Sequence, residues 1–325
     1  MIEVAKKLFE GLKLCACISD KEGFLARSVS PTDMKSHFTD SSRDQYTHWV
    51  YSVAKYHDSD MIAEEDKVFA EKALCAFAKR AVENVTEKNG WNYLREDGGK
   101  AMVNTMWGEK IEPHEWMRLP MIYLAAWKVG GDEKYKDIYL AIREEALERS
   151  SEIVLEKHSR FFTLNQMQLS LRFVYDYDDD AVFKEKCYHL MKKLADYCLT
   201  KTLELTKTFS LPAKKEDTAY VKAPWSKIYA RYQGTLDGYA YYVPMDWRRL
   251  PTDDVCMKVK VVGDGSSAYT LFPGATYNAE LRKALEKIIS SDDKETFTVS
   301  VKMYSLPACY KLEMLKNKGS VTLND

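Results

Sequence analysis

The sequence predicts an all-α fold in which outer and inner helices alternate, and three observations predict it. Gly and Pro are scarce, 14 and 9 in 325 residues, whereas sandwiches and barrels need many tight turns. Apolar residues recur at three- and four-residue spacing along most of the chain. The helical stretches are of two kinds: Glu64 to Thr86, Asp132 to Lys157 and Asp180 to Lys207 each carry a broad Lys/Glu face, while others open on polar and aromatic residues and then become apolar nearly all round. The first kind keeps one wet side and the second must be buried on every side, which describes stacked helical hairpins.

Taken in order, the spacing predicts helices over 2–17, 42–58, 64–86, 113–129, 133–157, 163–176, 180–206, 232–242, 267–277, 278–290 and 296–315. The segment Val255-Cys256-Met257-Lys258-Val259-Lys260-Val261-Val262 alternates in polarity between Asp253-Asp254 and Gly263-Asp264-Gly265, and predicts a minor β insertion near 255–262. The inner helices start at irregular intervals, at 42, 113, 163 and 232, and no repeat signature recurs, which favours a closed ring over an open solenoid. About twelve helices with short connections fit this length. The expected architecture is therefore an (α/α)6 toroid of inner and outer helices, a single domain over 1–325 with no Pro/Gly/Ser-rich linker.

Charge and cysteine content narrow the class. Lys and Arg number 48 against 49 Asp and Glu, a net charge of -1 with no long run of one sign, so neither nucleic acid nor an anionic membrane is an expected partner. Met1 to Phe9 lacks the apolar run of a signal peptide, and no later stretch approaches a membrane span. Seven cysteines without C-x-x-C spacing suit reduced thiols in a cytoplasmic protein. No metal or other cofactor is expected; His114-Glu115 lacks the second His of H-E-x-x-H, since position 118 is Arg.

The polar residues that open the inner helices are the candidate site. In a ring whose inner helices run parallel, Asp44, His48, His114, Glu115, Arg118, Asn165 and Gln168 gather at one mouth, where free N–H groups and positive dipole ends favour carboxylates and oxygen-rich ligands. Ser42-x-x-Gln45 fits a capping box, placing Asp44 in the first turn with His48 one turn further on the same face. Asp44 either shuttles a proton or simply complements the helix dipole. Glu115 is either its partner across the mouth or a first-turn acid paired with Arg118. Arg43 and Arg118 either take a substrate carboxylate or neutralise Asp44 and Glu115.

Ser42-Arg43-Asp44-Gln45-Tyr46-Thr47, the Asn89-Gly90-Trp91 loop and Pro113-His114-Glu115-Trp116-Met117-Arg118-Leu119-Pro120 together resemble the six-hairpin (α/α)6-toroid glycosidase superfamily, which includes unsaturated uronyl hydrolases and related bacterial carbohydrate enzymes. The residue likeness is confined to about 42 to 120. It implies a sugar-binding cleft with an Asp near an inner-helix start as acid/base, and Asp44 matches that role; no second Asp of the uronyl hydrolases stands at a clearly matching position. The implied function is a glycoside hydrolase or related glycan-degrading enzyme acting on an oligosaccharide end, possibly containing a uronic acid. Trp91, Trp107 and Tyr232 are candidate sugar platforms, Trp116 and Trp127 core, and Gln45 and Asp237 further binding residues.

Two other classes stay open. A sugar epimerase would pair His48 with His114 on the same fold, and a non-catalytic helical scaffold would bind glycan or protein without turnover. Asp176-Tyr177-Asp178-Asp179 resembles the D-x-D-D string of class II terpene cyclases, but no cyclase-type aromatic repeat accompanies it and Asp178 to Asp180 read as the cap of the next helix.

Overall fold

A computed structural model describes residues 2–157, 160–208, 231–236, 239–243, 255–290 and 304–321, with backbone alone for 2, 157, 231–236, 239–243, 255–258 and 318–321. These residues are mostly helical: α1 (Ile2–Cys17), α2 (Arg43–His57), α3 (Glu64–Asn84), α4 (Arg118–Lys128), α5 (Lys134–Ser151), α6 (Phe161–Tyr177), α7 (Ala181–Thr208), α8 (Val255–Leu271), α9 (Ala279–Ser290) and α10 (Ser305–Val321). Most of these follow the apolar spacing to within a few residues. The segment read as one helix over 113–129 opens instead as a single 3-10 turn, Pro113–Glu115, before α4.

Three expectations fail: the helix read over 267–277 is the tail of the longer α8, which ends at Leu271 just before Pro273 and Gly274, and two segments exchange helix for strand. The proposed β insertion near 255–262 is the first half of α8. The alternation there is local, whereas burial of Val259, Val262, Ser266 and Tyr269 continues at helical spacing, and a long helix with a buried face outweighs eight alternating residues. Gly263-Asp264-Gly265, read as a turn, lies inside this helix; a Cβ on Gly265 would meet Thr202 Oγ1 at 2.2 Å and one on Gly263 would meet Ser305 Oγ at 2.8 Å. The glycines are there because neighbouring helices approach closely, not because the chain turns. Conversely, the helix read over 232–242 is an antiparallel pair, β1 (Arg231–Leu236) and β2 (Tyr239–Val243), with Leu236 opposite Tyr239. Aromatic and β-branched residues on either side of Asp237-Gly238 are a hairpin signal that helical spacing obscured.

The chain forms two compact units, one of Met1–Ser159, Thr163–Leu194 and Leu271–Pro273, the other of Arg160–Phe162, Ala195–Thr270 and Gly274–Asp325. In the first, α4 is buried along every residue from Arg118 to Trp127 and packs on α2, α3 and α5, as its all-round apolar sequence requires. An aromatic cluster fixes α2: the Tyr46 ring lies 4.4 Å from Tyr93 and 5.2 Å from Phe77, and Trp49 lies 4.6 Å from Phe77. Their polar ends are satisfied, with Tyr93 donating to the Phe77 carbonyl at 2.7 Å and Trp49 Nε1 to the Leu12 carbonyl at 3.0 Å. In the second unit α9 packs on α10. Among the described cysteines none is bonded to another; Cys187, Cys198 and Cys309 are buried and Cys17 is exposed. Among the described residues no helix is long and apolar enough to cross a membrane.

Candidate functional site

The start of α2 is held by the loop that precedes α4. Arg43 N–H donates to the Val103 carbonyl at 3.3 Å, and its Nη1 donates to the Thr105 carbonyl at 2.9 Å. That loop is shaped by Trp91, which adopts φ 58°, and by Gly108, where an added Cβ would meet Trp91 Cδ1 at 2.7 Å. Trp91 therefore packs on loop backbone. Trp107 is half-buried and meets the buried Trp116 edge-on at 4.7 Å.

The two helix starts meet through charge. Arg43 Nη2 reaches Glu115 Oε1 at 2.5 Å, and the other Glu115 oxygen accepts the Glu112 N–H at 3.0 Å. Glu115 is buried, and His114 Nε2 stands 3.7 Å from its Oε1. Sequence had left Glu115 as a first-turn acid paired with Arg118 or a catalytic partner of Asp44. It is a first-turn acid, but its arginine is Arg43, from the other helix. With both oxygens engaged it is a weak candidate for activating water.

Ser42 is the N-cap of α2, yet its side chain makes no bond to the first-turn N–H groups, so the expected capping box does not form. Its hydroxyl instead meets the Asp44 carboxylate and the Gln45 side-chain oxygen. Asp44 is half-buried in the first turn, as the spacing predicted. His48 Nδ1 lies 2.8 Å from the Asp44 carbonyl. A carbonyl only accepts, so Nδ1 carries the hydrogen and Nε2 of the neutral ring presents a lone pair. Burial holds the His48 imidazole below its ordinary value, against the opposing pull of that carbonyl and of the Asp44 charge.

Arg118, the first residue of α4, is buried at 3% exposure. Its Nη2 donates to Gln166 Oε1 at 2.6 Å, and its Nε has no partner among the described residues. Burial pushes this guanidinium down to about 10; the charges of Glu115 and Asp44 oppose the shift and that of Arg43 adds to it. Three elements distant in sequence thus bring together Arg43, Asp44, His48, His114, Glu115, Arg118 and Gln166.

The other expected residues lie elsewhere. Gln168 Nε2 donates to the Met191 carbonyl at 2.9 Å, toward α7, and Asn165 is buried with neither amide atom partnered among the described residues. Gln166 went unread although it sits between them; a helix turns about 100° per residue, so the neighbour rather than the flagged pair faces Arg118. Tyr232 lies in β1 with its side chain outside the described part, and Asp237 lies outside the described residues. The D-x-D-D string is an ion-paired helix junction: Asp180 Oδ1 accepts the Val182 and Phe183 N–H groups at 2.9 and 3.1 Å, capping α7, and Asp178 binds Arg143 at 2.7 Å. Among the described residues no group of three or more His, Cys, Asp or Glu side chains could hold a metal ion. No protein-family model, curated protein or solved structure matches the chain.

Proposed function

We propose that this chain is a carbohydrate-active enzyme, a glycan-degrading hydrolase on a ring of paired helices, with Asp44 as the acid/base group. The observation that carries this reading is the convergence of Asp44, neutral His48 and the two arginines from separate helix starts, in a cluster where Glu115 is already engaged. In the proposed cycle Asp44 gives its proton to the leaving glycosidic oxygen as the C–O bond breaks. A water attacks the anomeric carbon and loses its proton to His48 Nε2. Glu115 acts one step removed, holding Arg43 and so the start of α2. This differs from the paired-carboxylate scheme of most glycosidases, where two acids flank the scissile bond.

The test is Asp44→Asn, assayed for released reducing ends on disaccharides with and without uronic acids. Turnover should vanish while thermal unfolding is nearly unchanged; full activity overturns the assignment. The His48 tautomer supports one second reading, an epimerase in which the same Nε2 takes a proton from carbon and His114 returns one to the opposite face. An isomeric sugar without new reducing ends would select it.

A further inference from the structure

Of the two buried charged side chains at the helix starts, Glu115 has an ion pair and Arg118 has none among the described residues. Arg43 has Glu115 at 2.5 Å, Glu115 has Arg43 and the Glu112 N–H, and the Asp44 carboxylate has the Ser42 hydroxyl. Among the described residues Arg118 forms no ion pair, its one hydrogen-bond acceptor is the neutral Gln166 amide oxygen, and its buried Nε–H has no partner. A guanidinium taken out of water is stable only when a carboxylate or other anion and a full set of acceptors replace its hydration. Leaving a buried N–H unmet is itself costly.

We infer that Arg118, aimed by Gln166, is the seat for an oxyanion of the ligand, a carboxylate or a sulfate ester. The guanidinium presents donors in a planar fork that suits two oxygens of one anion, which a lysine ammonium does not reproduce. Arg43 is excluded from this role because its Nη2 is committed to Glu115 and its Nη1 to the Thr105 carbonyl. Burial disfavours the charged guanidinium by more than the Glu115 and Asp44 charges return, so an arriving anion gains by adding compensation. The half-buried Asp44 and His48 are its neighbours, which would put the anion beside the proposed acid/base pair. Gln166 acts through Arg118 and is a positioning residue.

The inference rests on this cluster being a ligand site, and the test separates the two. Calorimetric titration at low ionic strength would compare methyl glucoside, methyl glucuronoside, glucose 6-sulfate and inorganic sulfate. Wild type should bind at least one charged sugar about tenfold or more tightly than the neutral one, the range a charge-assisted hydrogen bond supplies. The sugar that gains distinguishes a planar carboxylate from a tetrahedral sulfate. Arg118→Met should abolish that advantage, Arg118→Lys should keep only part of it, and Gln166→Leu should weaken charged sugars without moving the neutral one. Without ligand, Arg118→Met should unfold at the same or a higher temperature than wild type. Equal affinity for neutral and charged sugars, an advantage that survives Arg118→Met, or a clear fall in the melting temperature of Arg118→Met would each overturn the inference. If sulfate binds in an Arg118-dependent manner while no sugar binds, the oxyanion seat stands and the carbohydrate reading falls; no binding of either kind overturns both.

Discussion

At the junction of α6 and α7, Asp178 is met by Arg143, by the Tyr139 hydroxyl and by the Asp180 N–H, while Arg143 reaches Asp180 with its second nitrogen at 2.6 Å and Asp180 caps α7. At the starts of α2 and α4 the residue types are the same, acids and arginines brought in from separate helices, but the pairing stops short: Arg43 and Glu115 satisfy each other and Arg118 is left with an amide. Both clusters lie in the first unit and mix buried with half-buried side chains, so burial and composition do not tell them apart. The degree of pairing does. A cluster in which every charge is answered is explained by stability alone, and one with an unanswered charge calls for something outside the chain.

The contrast is broken most readily by stripping one partner from the closed pair. Arg43→Ala should cost about 3–5 kcal/mol, because the buried Glu115 carboxylate loses its counter-charge. Denaturant unfolding measures this, and a loss under about 1 kcal/mol would mean that the pair is not what holds the two helix starts. Next comes the junction. Asp178→Asn should cost about 2–3 kcal/mol by weakening the Arg143 and Tyr139 contacts, yet turnover per folded molecule should match wild type. A selective loss of turnover there would erase the distinction between the two clusters.

The second unit offers a smaller check of the same logic. Gly265→Ala should cost about 1–3 kcal/mol, since its Cβ would fall on Thr202 Oγ1; a neutral effect would show that the crossing can relax. Smallest is a pH effect at Asp264, buried with one oxygen on Lys260 Nζ at 2.9 Å and the other without a partner among the described residues. Burial raises its carboxyl above the usual value, against the pull of Lys260. A raised acid keeps its proton in the folded state over a window where the unfolded chain has lost it, so stability should fall as pH rises from the ordinary Asp value through the raised one. Asp264→Asn should flatten that limb of the stability profile; an unchanged slope would assign it to another group.

Much of this was legible in the chain itself. Apolar spacing placed α1 to α3, α6 and α7 closely and overran one end each of α4 and α5, because burial of one helix face is a repeating local constraint that marks a helix better than its ends; the all-round apolar run from Leu119 to Trp127 announced a helix buried on every side. The residues that open α2 and α4 were marked by their polarity ahead of apolar runs. Misread were segments in which two periods compete over a few residues. The alternation at 255–262 and the aromatics of 231–243 each fit helix and strand in isolation; close approach to helices distant in sequence goes with the first, and pairing across the short Asp237-Gly238 connection decided the second.

Pairing itself was the part that only the tertiary structure decided. The sequence determined the inventory at the site, two arginines, two carboxylates and two histidines, together with the turn each occupies. Which arginine answers Glu115, that Ser42 turns to side chains instead of capping, and that Gln166 rather than Gln168 faces Arg118 depend on helix rotation and on the loop seated against α2. Side-chain periodicity defines a face, whereas an ion pair is settled by ångström distances between faces. That difference in length scale is why the fold was readable along the chain and the chemistry of its charged cluster was not.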